Sequence, residues 1–124
     1  MIVLAVVLAG GLGAAARFLL DGLIRARTTT GFPVGTILIN VTGSLALGLI
    51  TGLTLNHTAP DQLRLIAGTG FLGGYTTFST ASVETVRLAA DRRWLAALTN
   101  GLGMLVAAVG CAALGLGLGL AAGP

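Results

Sequence analysis

Two groups of polar residues interrupt an otherwise apolar chain, and both are better suited to replacing an ion's water than to breaking a bond. The denser is Gly70-Phe71-Leu72-Gly73-Gly74-Tyr75-Thr76-Thr77-Phe78-Ser79-Thr80-Ala81-Ser82-Val83-Glu84, with five hydroxyls between Thr76 and Ser82. Each glycine weakens a helix interior by about 1 kcal/mol relative to Ala, so Gly73-Gly74 followed by Tyr-Thr-Thr predicts a helix broken near the membrane midplane. A break at that depth frees backbone carbonyls and amides, which is tolerated only where they line a cavity or hold an ion. Hydroxyls bonded back to their own i−4 carbonyls account for one or two such residues, not for five beside a Gly-Gly step. The second group is Asn40 with Gly43 and Ser44, which follow at i+3 and i+4 on the same helix face. Two readings stand for Asn40: an interhelical hydrogen bond worth about 0.6–2 kcal/mol, or a donor facing a polar path.

No Ser/His/Asp grouping and no metal-ligand cluster of His, Cys and carboxylates can be assembled from this sequence, so an enzyme is not expected. Asp21, Asp61, Glu84 and Asp91 fall at or beyond the edges of the apolar segments, and His57 falls in a loop. Proton-coupled carriers rely on buried carboxylates or His, which disfavours that class. Hydroxyls, an amide and aromatic ring edges present hydrogen-bond donors and the positive rim of a quadrupole. Such groups suit a small anion that has shed its water.

The elements that must hold these groups are membrane spans. Of 124 residues, 55% are apolar and 9% charged, with a mean hydropathy of +0.96. A soluble domain carries about 25% charged residues, so a soluble enzyme is excluded. A spanning helix needs about 20 mostly apolar residues. Four segments qualify, at 1–20, 32–55, 65–83 and 94–120, joined by short connections within a single domain. Nothing basic precedes Arg17, so the first segment reads as a retained helix rather than a signal peptide. The cations are all arginine, with a net charge of +3 and a pI near 10.6. Without a basic stripe interleaved with aromatics they do not point to nucleic acid. They set topology instead: Arg25, Arg27, Arg87, Arg92 and Arg93 lie in two loops, Arg17 lies just inside the membrane edge, and only Arg64 lies opposite. Both termini are therefore expected outside. Gly48 and Gly52 form a GxxxG pair that favours close helix approach and a compact, dimerising bundle. Gly115, Gly117 and Gly119 fit either packing or simple composition, and Cys111 reads as core packing.

Three stretches resemble the CrcB/Fluc fluoride channels: Gly10-Gly11-Leu12-Gly13-Ala14-Ala15-Ala16-Arg17-Phe18, Gly35-Thr36 through Asn40 to Gly43, and Gly70 through Thr80. The third is long and specific, and the likeness covers the whole chain in length and span count. The resemblance implies an all-α membrane protein of four transmembrane helices, the third broken, forming an antiparallel, dual-topology dimer in the bacterial cell membrane. It implies passive export of fluoride through two narrow pores at the subunit interface, which protects the cell. By motif position, Asn40, Phe78, Ser79, Thr80 and Ser82 would line the fluoride path. The backbone carbonyls of Gly73 and Thr76 would hold a structural Na⁺, and Arg17 would serve the vestibule or the structure. One departure stands out: the family pattern Phe-Ser-Thr-Phe reads Phe78-Ser79-Thr80-Ala81 here, so the second pore phenylalanine is missing. With the uneven arginine count, this suggests one half of a heterodimer whose partner supplies that ring. A non-conducting partner subunit and a small proton-coupled exporter are the alternatives.

Overall fold

The structure is a computed structural model that describes residues 1–29 and 31–123; Thr30 and Pro124 lie outside the described residues. Helix α1 spans Ile2–Arg27 and α2 spans Val34–Leu55. Helix α3 covers 61–75, α4 covers Phe78–Ala90, and α5 covers Trp94–Ala121. Helices α1, α2 and α5 are each long and apolar enough to cross a membrane. At 1.5 Å per residue, α3 and α4 reach only about 20 Å each. They divide one expected crossing between them. The described residues contain no strand, and the chain is a multi-pass helical membrane protein.

The helices outrun the apolar segments. α1 continues to Arg27, so Asp21 and Arg25 stand on the helix rather than in a loop, and α4 carries Glu84 well inside its span. Backbone hydrogen bonds continue a helix past the hydrocarbon edge at little cost when the side chains are charged.

The break is real but displaced from its expected position. Gly73 is helical, with φ −61° and ψ −40°. The chain leaves the helix at Thr76 (φ −81°, ψ 157°) and Thr77 (φ −147°, ψ 119°), two β-branched residues that favour extended backbone. The glycines have a different use. A Cβ on Gly74 would overlap the Gly10 carbonyl, and one on Gly13 would overlap the Phe71 carbonyl. The Gly-Gly step thus brings α3 backbone onto α1 backbone. Before the break, Arg64–Leu72 is wound as a π-helix, as is Thr99–Gly103 within α5. Such i→i+5 winding is rare and gathers at functional sites.

The glycines of α2 and α5 interlock. Gly48 and Gly52 meet the backbone of residues 112–120, while Gly115 and Gly119 meet that of residues 45–53. The GxxxG pair therefore packs within the chain's own bundle. By contrast, Gly110 and Gly117 face open space. At the arginine-rich end, Arg93 Nη1 donates to the Gly31 carbonyl at 3.3 Å, bringing the two basic loops together. At the other end, Asn56 Nδ2 donates to the carbonyls of Gly119 (2.7 Å) and Leu120 (3.1 Å), closing the last turn of α5.

Candidate ion pathway

The break is braced from three directions. Asn40, on α2, accepts from the Thr77 backbone N–H at 2.8 Å and donates Nδ2 to the Thr77 carbonyl at 2.9 Å. A side-chain amide thus stands in for a neighbouring strand. Its Nδ2 also lies 3.5 Å from Met104 Sδ. The Thr77 hydroxyl caps α4 by accepting from the Thr80 N–H at 3.3 Å, and donates to Thr80 Oγ1 at 3.1 Å. From α1, Arg17 Nε donates to the Gly74 carbonyl at 3.3 Å, at the end of α3. Arg17 is therefore tied by its side chain to the last turn of α3, next to the break. Its cation also suits the negative end of a helix. Gly43 allows this assembly, since a Cβ there would come within 2.5 Å of the Thr76 methyl group.

A groove of about 760 Å³ opens along this side of the helix bundle. Asn40, Ser44, Gly73, Thr76, Phe78 and Ser82 lie along it, facing an apolar wall that includes Leu47, Leu72, Met104, Leu105 and Ala108. Phe78, the first residue of α4, is 87% exposed. The Ser82 hydroxyl donates to the Phe78 carbonyl at 2.9 Å, and that of Thr76 to the Leu72 carbonyl at 3.0 Å. Ser79 and Thr80 stand elsewhere. They share a smaller cavity with Arg25, Val83, Glu84 and Arg87. The five other expected pathway and cation residues share the groove without Arg17, which reaches the break through the Gly74 carbonyl. Ala81 lines the groove but is only 5% exposed, and its carbonyl accepts from Thr85 Oγ1 and Asn100 Nδ2.

Two polar sites have no counterpart in the sequence expectations. Thr36, buried on α2, donates to Glu84 Oε1 at 2.6 Å. Arg25 lies 3.6 Å from Glu84 Oε2 and 3.0 Å from Asp21 Oδ2. A carboxylate thus lies among the helices after all, held between a hydroxyl and a guanidinium. The spacing of Thr36 and Glu84, 48 residues apart, gave no sign of the pair. Asn100, wholly buried in the π-helical turn of α5, donates to Thr85 Oγ1 at 2.7 Å, while its own Oδ1 has no partner among the described residues. An amide inside an apolar span is a legible signal by the rule applied to Asn40. Among the described residues, no group of three His, Cys, Asp or Glu could hold a metal.

The fold and this site define a small multi-pass membrane protein whose polar groups surround an interrupted helix beside an open groove. Residues 4–116 match the family model described as CrcB-like protein, Camphor Resistance (CrcB), and the chain belongs to that family. It is 60% identical over 119 residues, 96% of this chain and 87% of the relative, to the fluoride-specific ion channel FluC 1 of Leifsonia xyli. It is 54% identical over 120 residues, 96% and 98% of the two chains, to FluC 2 of Cutibacterium acnes. It is 43% identical over 115 residues, 92% and 93%, to FluC of Geobacter metallireducens.

Proposed function

We propose that this chain is a subunit of a fluoride-selective channel that lets cytoplasmic fluoride leave the cell passively, and that it performs no enzymatic step. The observation that carries this is the groove beside the break. There, hydroxyls, an amide and the exposed Phe78 ring gather at depth while the carboxylate of Glu84 is held by Thr36 and Arg25. Once the Thr76 and Ser82 hydroxyls turn from the Leu72 and Phe78 carbonyls, they and the positive edge of the Phe78 ring can replace the water of a small anion without offering a base for protons. The names of the relatives at 43–60% identity support the same anion. Asn40, Phe78 and Ser82 are the groove residues assigned to fluoride; Ser79 and Thr80 act from the α4 face turned toward Arg25 and Arg87.

A second subunit, inserted in the opposite orientation, closes the groove. The carbonyls of Gly73 and Thr76 hold the structural Na⁺. The local structure fits such an ion: Gly73 is exposed with no atom near its Cβ position, and Thr76 has left the helical ladder. When bound, Na⁺ supplies a fixed positive charge at the break. Fluoride efflux from liposomes, recorded with an ion-selective electrode and without a pH gradient, tests the proposal. Efflux above that of protein-free vesicles supports it; efflux only under a proton gradient points to the exporter, and none at all from any pairing sinks it.

Ala81 favours a second reading, that this chain is the half-active partner in a heterodimer. Its small side chain leaves Phe78 as the one aromatic at the head of α4. A homologue with an aromatic at the matching position would restore a two-ring pore. Reconstituting the chain alone and with such a homologue decides the point, since full activity of the lone chain refutes the pairing.

A further inference from the structure

We infer that Asn40 and the Thr77 hydroxyl make the cation site by diverting the two amide N–H groups that would otherwise close on its carbonyls; this rests on the cation reading above. In an unbroken helix, the Gly73 carbonyl accepts from the N–H of residue 77 and the Thr76 carbonyl from the N–H of residue 80. Here the Thr77 N–H goes to Asn40 Oδ1 at 2.8 Å. The Thr80 N–H goes to the Thr77 hydroxyl oxygen at 3.3 Å. Among the described residues, neither carbonyl receives another backbone donor.

Two other carbonyls at the break are treated differently, while that of Tyr75 also lacks a donor among the described residues. That of Gly74 accepts from Arg17 Nε at 3.3 Å, and that of Thr77 accepts from Asn40 Nδ2 at 2.9 Å. Two carbonyls are thus supplied by side chains, and the two assigned to Na⁺ are stripped of their helical donors. A carbonyl without a donor at membrane depth needs a partner. A monovalent cation serves as that partner where a helix unwinds. Asn40 touches the cation nowhere in this scheme. It acts through Thr77, and is a positioning residue for the site.

The test is thermal unfolding of the purified protein while Na⁺ replaces a bulky organic cation at constant ionic strength. A ligand that binds only the folded state raises the melting temperature with concentration. In Asn40→Ala and Thr77→Val, the Na⁺ midpoint is expected to move about 10–100-fold higher, the usual cost of losing a group that orients a metal ligand. Thr77→Ser, which keeps the capping hydroxyl, is expected to restore the wild-type midpoint. Thr51→Val, whose hydroxyl bonds to the Leu47 carbonyl on α2, is expected to leave it unchanged. Should Asn40→Ala not fold, Thr77→Val against Thr77→Ser decides alone. An unshifted midpoint in Asn40→Ala or Thr77→Val overturns the inference while the cation site stands. A wild type indifferent to Na⁺ overturns both, whereas the fluoride reading answers to efflux, which is recorded separately.

Discussion

Phe78 and Arg17 flank the same break yet make opposite demands on the fold. Phe78 is 87% exposed, so truncating it removes little packing. Phe78→Ala is expected to change stability by no more than about 0.5 kcal/mol, while fluoride efflux falls to the level of empty vesicles. Denaturation midpoints and efflux on the same preparation check the contrast. Arg17 has the reverse profile. Arg17→Ala leaves the Gly74 carbonyl without its 3.3 Å donor. An unsatisfied buried acceptor costs about 1–3 kcal/mol, so the melting temperature should drop, and Arg17→Lys should recover part of it. Thr36→Val removes the 2.6 Å bond to Glu84 and should destabilise by a similar amount. Asn40 was legible in the sequence as a polar residue needing a partner, because the sequence shows an amide set in the middle of an apolar segment. It does not show which backbone the amide will meet.

At the scale of the element, the glycines divide by contact rather than by motif. Gly115 abuts the Leu45 carbonyl and the Leu49 nitrogen of α2, whereas Gly110 faces open space. Gly115→Ala should force α2 and α5 apart at a cost of about 1–3 kcal/mol, the usual penalty for overpacking. Gly110→Ala should be neutral for the monomer fold, and chemical denaturation of both variants checks the difference. The same distinction explains the displaced break. Gly73-Gly74 signalled an interruption because glycine is a weak helix former, but Gly74 is helical because close packing on Gly10 requires its missing side chain. Propensity located the region. The partner helix and the Asn40 amide decided which peptide left the ladder.

For the whole molecule, the arginine-rich connections and the helix ends beside them meet at one end, where Arg25 of α1, Arg87 of α4 and Arg93 of the loop after α4 line one cavity of about 210 Å³. Loops so charged are retained in the cytoplasm, which predicts a single dominant orientation with both termini outside. A cysteine placed at Thr58, in a Cys111→Ser background, should react with a membrane-impermeant thiol reagent from the outside of intact cells. Reaction only after the membrane is opened would reverse the assignment. Under the heterodimer reading proposed above, an orientation so fixed would be matched by an inverted homologue of opposite charge bias, and Ala81 is the position whose ring that homologue would supply.

The sequence by itself determined the membrane class, the approximate spans and the presence of an interruption in the third. These follow from sums over many residues, in which burial and hydropathy add regardless of partners. Tertiary structure alone decided that the interruption falls at Thr76-Thr77, that Asn40 and Arg17 brace it, and that Glu84 is held by Thr36 and Arg25. Each of those outcomes depends on one directional hydrogen bond or close contact between residues far apart in the chain, and such pairings exist only once the helices have packed.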